Sequence, residues 1–574
     1  NVRTRVHEYG GGDYLVASGV VYFSNFTDQR IYRQEPGSEP VAFTRLEGMR
    51  YADAVMDAKH GRLIAVREDH TNPDSQAVNT LVGIDLTSAD EQVLVSGNDF
   101  YPTPRLNPAG NQLAWLTWNH PNMPWDGSEL WVAELLADGS LDQKTLVAGG
   151  KAVSIFQPHW SPDGVLYFVS DRTGWWNLYR WNYDQNKVVA LHPMQAEFGQ
   201  PQWLFAMATY GFASPGKLIC SYCHAGMYHL ASLDTQSLEF QEFSLPYNSI
   251  GDVYITPGQA YFTAGSATRP MTLVQLDLAS GTIEVVRSVR EITIDPAHFS
   301  IGVPIEFPSD RGLTAYGFYY PPKNRDFTGP SGKLPPLLVM SHGGPTGATS
   351  LLLRYGIQYW TTRGFAVLDV DYSGSTGYGR PYRERLKGQW GIADVADCVN
   401  GARYLVEKGL VDGNQLAITG GSAGGYVTLC AITFHQLFSA AASYYGISDL
   451  EALAKDTHKF ESRYLDGLIG PYPERRDLYI ARSPIHFVEH ITCPLILLQG
   501  LDDPVVPPNQ SLMIYEAVKA RGLPVALLTF PGEQHGFVKA ENNIRALEAE
   551  LYFYSRIFKF ELADSVEPVK IDNL

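Results

Sequence analysis

Near residue 295 the hydrophobic pattern of this chain changes period, and that change sets the kinds of core the chain can build. Upstream, short runs such as "GRLIAVRED" (61–69), "NQLAWLTWN" (111–119) and "GVLYFVSDRTGWWNLYRWNYDQNKVVAL" (164–191) alternate aliphatic or aromatic residues with polar ones. Each is bounded by Gly, Asp, Asn or Pro, the pattern of half-buried strands. Downstream, "PLLVMSHGG" (336–344), "FAVLDVDYSG" (365–374) and "CPLILLQG" (493–500) are unbroken apolar runs of strand length. Such runs suit strands covered on both faces. Helical patterns separate them. "NQSLMIYEAVKARG" spaces Leu512, Tyr515 and Val518 along one face before Gly522, and "NNIRALEAELYFYSRIFKF" repeats Leu547, Leu551, Tyr554 and Phe558. A chain of 574 residues exceeds what one core supports. Two domains are therefore expected, residues 1–294 and residues 295–574.

The upstream half also repeats. Units of turn followed by short strands begin near residues 18, 50, 101, 152, 196 and 252. A period of roughly 40 to 55 residues with four short strands per unit indicates propeller blades. Residues 1–17, "NVRTRVHEYGGGDYLVA", read as the end of a further blade, so a seven-bladed β-propeller with an incomplete first blade is expected. A pair of β-sandwiches is the other reading of the same pattern. The downstream half reads as an α/β domain with a mostly parallel sheet, whose chemistry gathers at the carboxyl ends of its strands.

Charge and composition remove several function classes. A formal net charge of −17 opposes a nucleic-acid-binding surface. No run approaches the roughly 20 apolar residues of a membrane span. Five cysteines are too few for a disulfide scaffold and suit a reducing compartment, so a cytoplasmic location is the default. The chain begins at Asn1 rather than methionine, and a leader is not observable from it. Cys220-Ser-Tyr-Cys223-His224 matches a haem-attachment spacing, but "LICSYCHAGMYHLASLD" alternates like a strand and its return. The fifteen histidines show no H-E-x-x-H pattern or Cys/His clustering, so neither metal nor cofactor is expected. "GSTGYG" (374–379) lacks the G-K-[ST] ending of a phosphate loop.

Gly420-Gly421-Ser422-Ala423-Gly424 fits G-x-S-x-G, a pattern that is weak alone in a chain with 53 glycines. Its setting strengthens it. "QLAIT" runs as a strand into the glycines, and "AGGYVTLCAITFH" continues as a helix. A strand-to-helix turn that tight strains the backbone and lifts a hydroxyl above the sheet. Serine becomes a nucleophile only when a base takes its proton. His535, in the loop "GEQHGF" after the strand "PVALLTF", is the candidate base. The carboxylate belongs between serine and histidine in chain order, where "LILLQGLDDPVVPP" supplies Asp502 and Asp503. The Ala423 and Gly344 N–H groups are the expected oxyanion donors. His342 reads as a scaffold or pocket residue, since no carboxylate is placed to serve it.

Five stretches carry a family likeness: "SHGGPTG", "DYSGSTGYGRPYRERLKGQWGIADVADC", "GGSAGGY", "GLDDPVVP" and "EQHGF". With the propeller-like half before them, they resemble the prolyl oligopeptidase family of serine peptidases across nearly the whole chain. The resemblance implies an N-terminal β-propeller gating domain and a C-terminal α/β-hydrolase catalytic domain. It also implies a Ser422–Asp503–His535 triad. The family's G-x-x-D-x-x-V context falls on Gly500, Asp503 and Val506 and selects Asp503 over Asp502. His342-Gly-Gly-Pro resembles the acylaminoacyl-peptidase and aminopeptidase branch, where prolyl endopeptidases and dipeptidyl peptidases carry an oxyanion-binding tyrosine instead. "HEYGGGDY", "SDRTGWWNLYR" and "AEFGQPQW" resemble a microbial aminopeptidase subgroup that includes puromycin hydrolases.

The implied function is a serine exopeptidase acting on short peptides or aminoacyl amides, free or acylated at the amino end. A dipeptidyl peptidase or a carboxylesterase with the same triad is the alternative, and a non-enzymatic reading makes the propeller a protein-binding platform. An exopeptidase needs a carboxylate for the α-ammonium, and Glu197 is the candidate; a solvated surface glutamate is the competing reading. Tyr444, Tyr445, Val506 and Phe460 are expected either to line a side-chain pocket or simply to be core. Neither a nucleic-acid nor a membrane partner is expected, and homo-oligomerisation stays open.

Overall fold

The computed structural model describes residues 1–289 and 293–574. It divides into two compact units: Asn1–Ala264 with Thr272–Arg287 and His458–Tyr464, and Gly265–Met271 with Ser288–Thr457 and Leu465–Leu574.

Six four-stranded sheets follow one another along the first half, over residues 14–42, 49–95, 105–149, 155–190, 210–242 and 249–288. Each is a meander whose consecutive strands are neighbours. Period-two alternation lets one strand serve two cores. Leu63 and Ala65 pack toward the first sheet with Tyr22 and Ile31, whereas Ile64 and Val66 pack toward the third with Leu113 and Trp115. Ala114 and Leu116 then face the fourth sheet with Ile155 and Phe168. Ile219 and Leu230 of the fifth meet Val253 and Phe262 of the sixth. Layers sharing faces in succession are the blades of a β-propeller.

The blade number corrects the expectation of seven: among the described residues there are six. Tyr14–Ala17 is not the remnant of another blade. It pairs with Val20–Ser24 from Tyr14↔Phe23 to Ala17↔Val20 and so completes the first sheet. Ahead of it, Val2 and Gly11 make only isolated bridges, to Asn25 and Phe205. Cys220 and Cys223 lie buried in the strand Lys217–His224, which returns through Met227–Asp234.

The segment His458–Tyr464 packs within the first unit although its chain neighbours do not. Lys459 Nζ donates to Ala77 O (2.8 Å), Asn79 Oδ1 (3.0 Å) and Asp99 O (2.8 Å), so its ammonium is satisfied. Phe460 stacks on His7 with ring centroids 5.1 Å apart.

The second unit is built on one eight-stranded sheet. Its spatial order is Val303–Pro308, Thr314–Tyr320, Ala366–Asp371, Leu337–Ser341, Leu416–Gly421, Ala440–Tyr444, Leu495–Gly500 and Val525–Phe530. The first two strands pair antiparallel, and from Ala366–Asp371 onward every pairing is parallel. Ala366–Asp371 and Leu495–Gly500 are buried at every position, as their unbroken apolar runs require. Crossover helices include Ala393–Glu407, Ala423–Phe434, Asn509–Ala520 and Ala540–Phe558. One face differs from the pattern read above. Leu512 is exposed, and Asn509–Ala520 buries Gln510, Ser511, Ile514 and Val518 instead. Gln510 is drawn inward because its Oε1 accepts the Ser448 and Asp449 N–H groups, each at 2.8 Å.

Candidate active site

Ser422 sits between the strand Leu416–Gly421 and the helix Ala423–Phe434 with φ 57° and ψ −121°. A non-glycine residue there is strained and persists only where its surroundings hold it. Its N–H donates to Tyr444 O (3.0 Å), and its carbonyl accepts the Tyr426 N–H (3.0 Å). The flanking glycines are a packing requirement. A methyl on Gly424 would lie 2.1 Å from Ser341 O, and one on Gly420 would lie 2.5 Å from the Gly424 backbone. The helix beyond is buried nearly all round, an apolar element clamped inside the unit.

Two loops bring the other groups to the serine. After the strand Leu495–Gly500 the chain turns, and Asp503 is buried while Asp502 is exposed. Asp503 Oδ1 accepts the Val505 and Val506 N–H groups, each at 2.9 Å. Its Oδ2 lies 2.8 Å from His535 Nδ1. His535 Nε2 lies 2.8 Å from Ser422 Oγ. A carboxylate only accepts, so Nδ1 carries the ring proton and Nε2 presents its lone pair to the serine hydroxyl. That is the arrangement a proton relay needs.

The histidine loop is held by a residue that sequence reasoning missed. Glu533 accepts the Val538 and Lys539 N–H groups (2.9 Å each) and Asn542 Nδ2 (2.7 Å). Its own carbonyl accepts the Asp502 N–H at 3.0 Å, tying the acid loop to the histidine loop. Only its place two residues before His535 marked it.

Ala423 is the first residue of its helix, so its N–H has no intrahelical acceptor and lies at the positive end of the helix dipole. Gly344 follows the strand Leu337–Ser341 at φ 122°. The loop carrying it runs beside the serine: a methyl on Gly343 would lie 3.6 Å from Ser422 Cβ. His342 is locked there. Its Nδ1 donates to Gly343 O (2.8 Å), its Nε2 accepts from Ser375 Oγ (2.7 Å), and its ring stacks on Tyr372 at 4.2 Å. Burial lowers its pKa to about 4, so it is neutral at pH 7. The 374–379 loop is thereby tied to the His342 loop through Ser375.

The residues expected to contact substrate have separate surroundings. Tyr445 sets its ring edge-on to His535, 4.9 Å between centroids. Tyr444 donates its hydroxyl to Glu550 Oε2 at 2.6 Å. Val506 is buried with its N–H on Asp503. Phe460 is buried in the first unit. Glu197 is also there and only 3% exposed, which removes the reading of a solvated surface carboxylate. Its Oε2 accepts the Trp176 N–H at 2.8 Å, and its backbone bridges Cys223. Among the described residues no group of three or more His, Cys, Asp or Glu side chains is arranged to hold a metal. No helix among them is long and apolar enough to cross a membrane.

A family model described as "Prolyl oligopeptidase family" matches residues 352–561. The solved structure of a Mycobacterium tuberculosis puromycin-hydrolyzing peptidase is 40% identical, with a TM-score of 0.96 over 100% of this chain and 90% of that one. A puromycin hydrolase structure is 36% identical with a TM-score of 0.95 over the same shares. Dipeptidyl aminopeptidase BIII of Pseudoxanthomonas mexicana is 29% identical over 286 residues, 48% of this chain and 41% of the relative. Dipeptidyl peptidase family member 6 of Caenorhabditis elegans is 32% identical over 219 residues, 36% of this chain and 29% of the relative. The chain thus spans less than half the length of these two curated relatives. The likeness to the mycobacterial structure runs the full length of the chain, and the family match falls on the half that holds the serine, acid and histidine loops: this chain belongs to the prolyl oligopeptidase family.

Proposed function

We propose that this chain is a serine exopeptidase that releases N-terminal residues from short peptides or aminoacyl amides. The observation carrying this reading is the pair of 2.8 Å contacts joining Asp503, His535 and a strained Ser422 that arise from three separate loops. In the proposed reaction Ser422 Oγ attacks the scissile carbonyl while His535 Nε2 takes its proton. Asp503 holds the ring and stabilises the imidazolium. The tetrahedral oxyanion receives the Ala423 and Gly344 N–H groups. Collapse expels the amine, protonated by His535, and leaves an acyl-serine. Water activated by the same histidine then releases the acid.

Glu197, a buried carboxylate, is the proposed partner of a free α-ammonium. Tyr445 is the proposed wall of the acyl side-chain pocket because its ring already flanks His535. Two solved relatives are named for hydrolysing puromycin, which supports aminoacyl bonds as substrates. A dipeptidyl peptidase is the second reading, favoured by the names of two curated relatives.

The test is hydrolysis of free aminoacyl, N-acetyl-aminoacyl, dipeptidyl and simple ester chromogenic substrates by wild type and Ser422→Ala. Preference for free aminoacyl amides, lost by about 10³-fold or more in Ser422→Ala, is the expected outcome. Full activity in Ser422→Ala overturns the reading. Preference for dipeptidyl substrates selects the second one.

A further inference from the structure

The helix Ala540–Phe558 buries a carboxyl where its pattern calls for an apolar residue. Glu550 is 2% exposed, on the same buried face as Ala546, Ala549 and Phe553. A carboxyl taken out of water is unfavourable unless its oxygens are satisfied, and here they are. Oε2 accepts the Tyr444 hydroxyl at 2.6 Å, and Oε1 accepts the Tyr554 hydroxyl at 2.9 Å. The two tyrosines lead to different places. Tyr554 is on the same helix, one turn away. Tyr444 ends the strand Ala440–Tyr444, lies opposite Gly421 in register, and its carbonyl accepts the N–H of Ser422 at 3.0 Å.

We propose that Glu550 is a positioning residue: through the Tyr444 hydroxyl it anchors the carbonyl that holds Ser422 in its strained conformation. The proposal rests on the reading of Ser422 as nucleophile. Glu550 is not part of the proton relay, which runs through His535 and Asp503. It acts at one remove. A serine at φ 57° keeps that conformation only while its surroundings over-determine it, and the Tyr444 carbonyl is the acceptor that fixes its N–H. If the end of the Ala440–Tyr444 strand drifts, the elbow relaxes and Oγ moves off the line to His535 Nε2. The clamp also couples two loops, because the Glu550 helix begins five residues after His535.

The experiment compares two substitutions that each remove one hydrogen bond from the same carboxyl. Tyr444→Phe, Tyr554→Phe, Glu550→Gln and Ser422→Ala are examined for kcat and KM on a cleaved chromogenic substrate, rate of labelling by a fluorophosphonate probe, and thermal midpoint. Tyr444→Phe and Glu550→Gln are expected to lower kcat and the labelling rate about tenfold with KM little changed, since displacing a reacting atom by a fraction of an ångström has costs on that scale. Tyr554→Phe is expected to label and turn over close to wild type. Equal losses in Tyr444→Phe and Tyr554→Phe, tracking their thermal midpoints, would mean that the carboxyl merely stabilises the fold, and the proposal fails. Wild-type rates in Tyr444→Phe also overturn it. An active, labelled Ser422→Ala would instead remove the nucleophile reading on which the proposal rests. Should Glu550→Gln fail to fold, the two Tyr→Phe variants, which keep both rings, carry the test.

Discussion

Ser422 holds its unusual backbone through contacts that leave no room for a side chain on either flank. Gly424→Ala would push a methyl to 2.1 Å from Ser341 O, a backbone atom that cannot swing aside. The proposed acid is equally specific. Asp503 has two backbone N–H groups on one oxygen and the imidazole on the other, whereas Asp502 is exposed. Asp503→Asn would place an amide opposite Nδ1 and favour the wrong tautomer of His535. Turnover is expected to fall by about 10⁴-fold, with Asp502→Asn within a few-fold of wild type. Measuring kcat for both variants on one substrate checks this, and equal losses would move the acid assignment. Sequence singled out these residues because the proposed nucleophile, acid and base each follow a buried strand in a fixed order. It did not reach Glu533 or Glu550, because a buried glutamate looks like a surface one until its partners are known.

One helix and one strand show where periodicity misleads. In Asn509–Ala520 the apolar spacing pointed to Leu512, yet polar Gln510 and Ser511 are buried. Gln510 supplies acceptors for two backbone N–H groups and the Ser448 hydroxyl, and Ser511 Oγ donates to Gln499 Oε1 at 2.8 Å. Hydrogen bonding to backbone that water cannot reach outweighs the hydrophobic rank of Leu512. Gln510→Ala is expected to destabilise the protein by about 1–3 kcal/mol, the cost of unmet buried donors. A denaturant midpoint unchanged from wild type would contradict that. Among the strands, Tyr14–Ala17 read as a blade fragment because its pairing with residues 20–24 depends on a two-residue turn at Ser18-Gly19 that leaves little trace in hydrophobicity.

For the molecule as a whole, burial sets opposing pH limits. Burial lowers His7 and His159 to about 4 in the first unit, and His342 to about 4 in the second. The unfolded chain binds these protons more tightly, so their contribution is intact above about pH 6.5 and is lost as pH falls through about 4. Burial raises Asp371 to about 8 and Glu550 to about 7, both in the second unit. There the folded chain holds the proton more tightly, so that contribution is intact near pH 4 and is lost as pH rises through 7 to 8. The unfolding midpoint is therefore expected to fall on both sides of a maximum between these limits. Calorimetry across pH 4 to 9 checks this, using His159→Phe as the probe. That variant should lose less stability than wild type on the acid side, by roughly 3 kcal/mol at most. An identical acid limb in both proteins would exclude His159 as its cause.

Period-two alternation upstream, unbroken apolar strands downstream, and the order Ser422, Asp503, His535 were all legible from the sequence. Each is a local pattern, set by which faces of a strand are buried or by which loop follows it. Tertiary structure alone decided that six blades account for the described propeller strands, that Asp503 Oδ2 meets Nδ1 while Ser422 Oγ meets Nε2, and that Glu550 and Gln510 turn inward. Those outcomes depend on partners 32 to 113 positions away or on a turn's pairing, and a hydrogen bond between distant residues has no period to read.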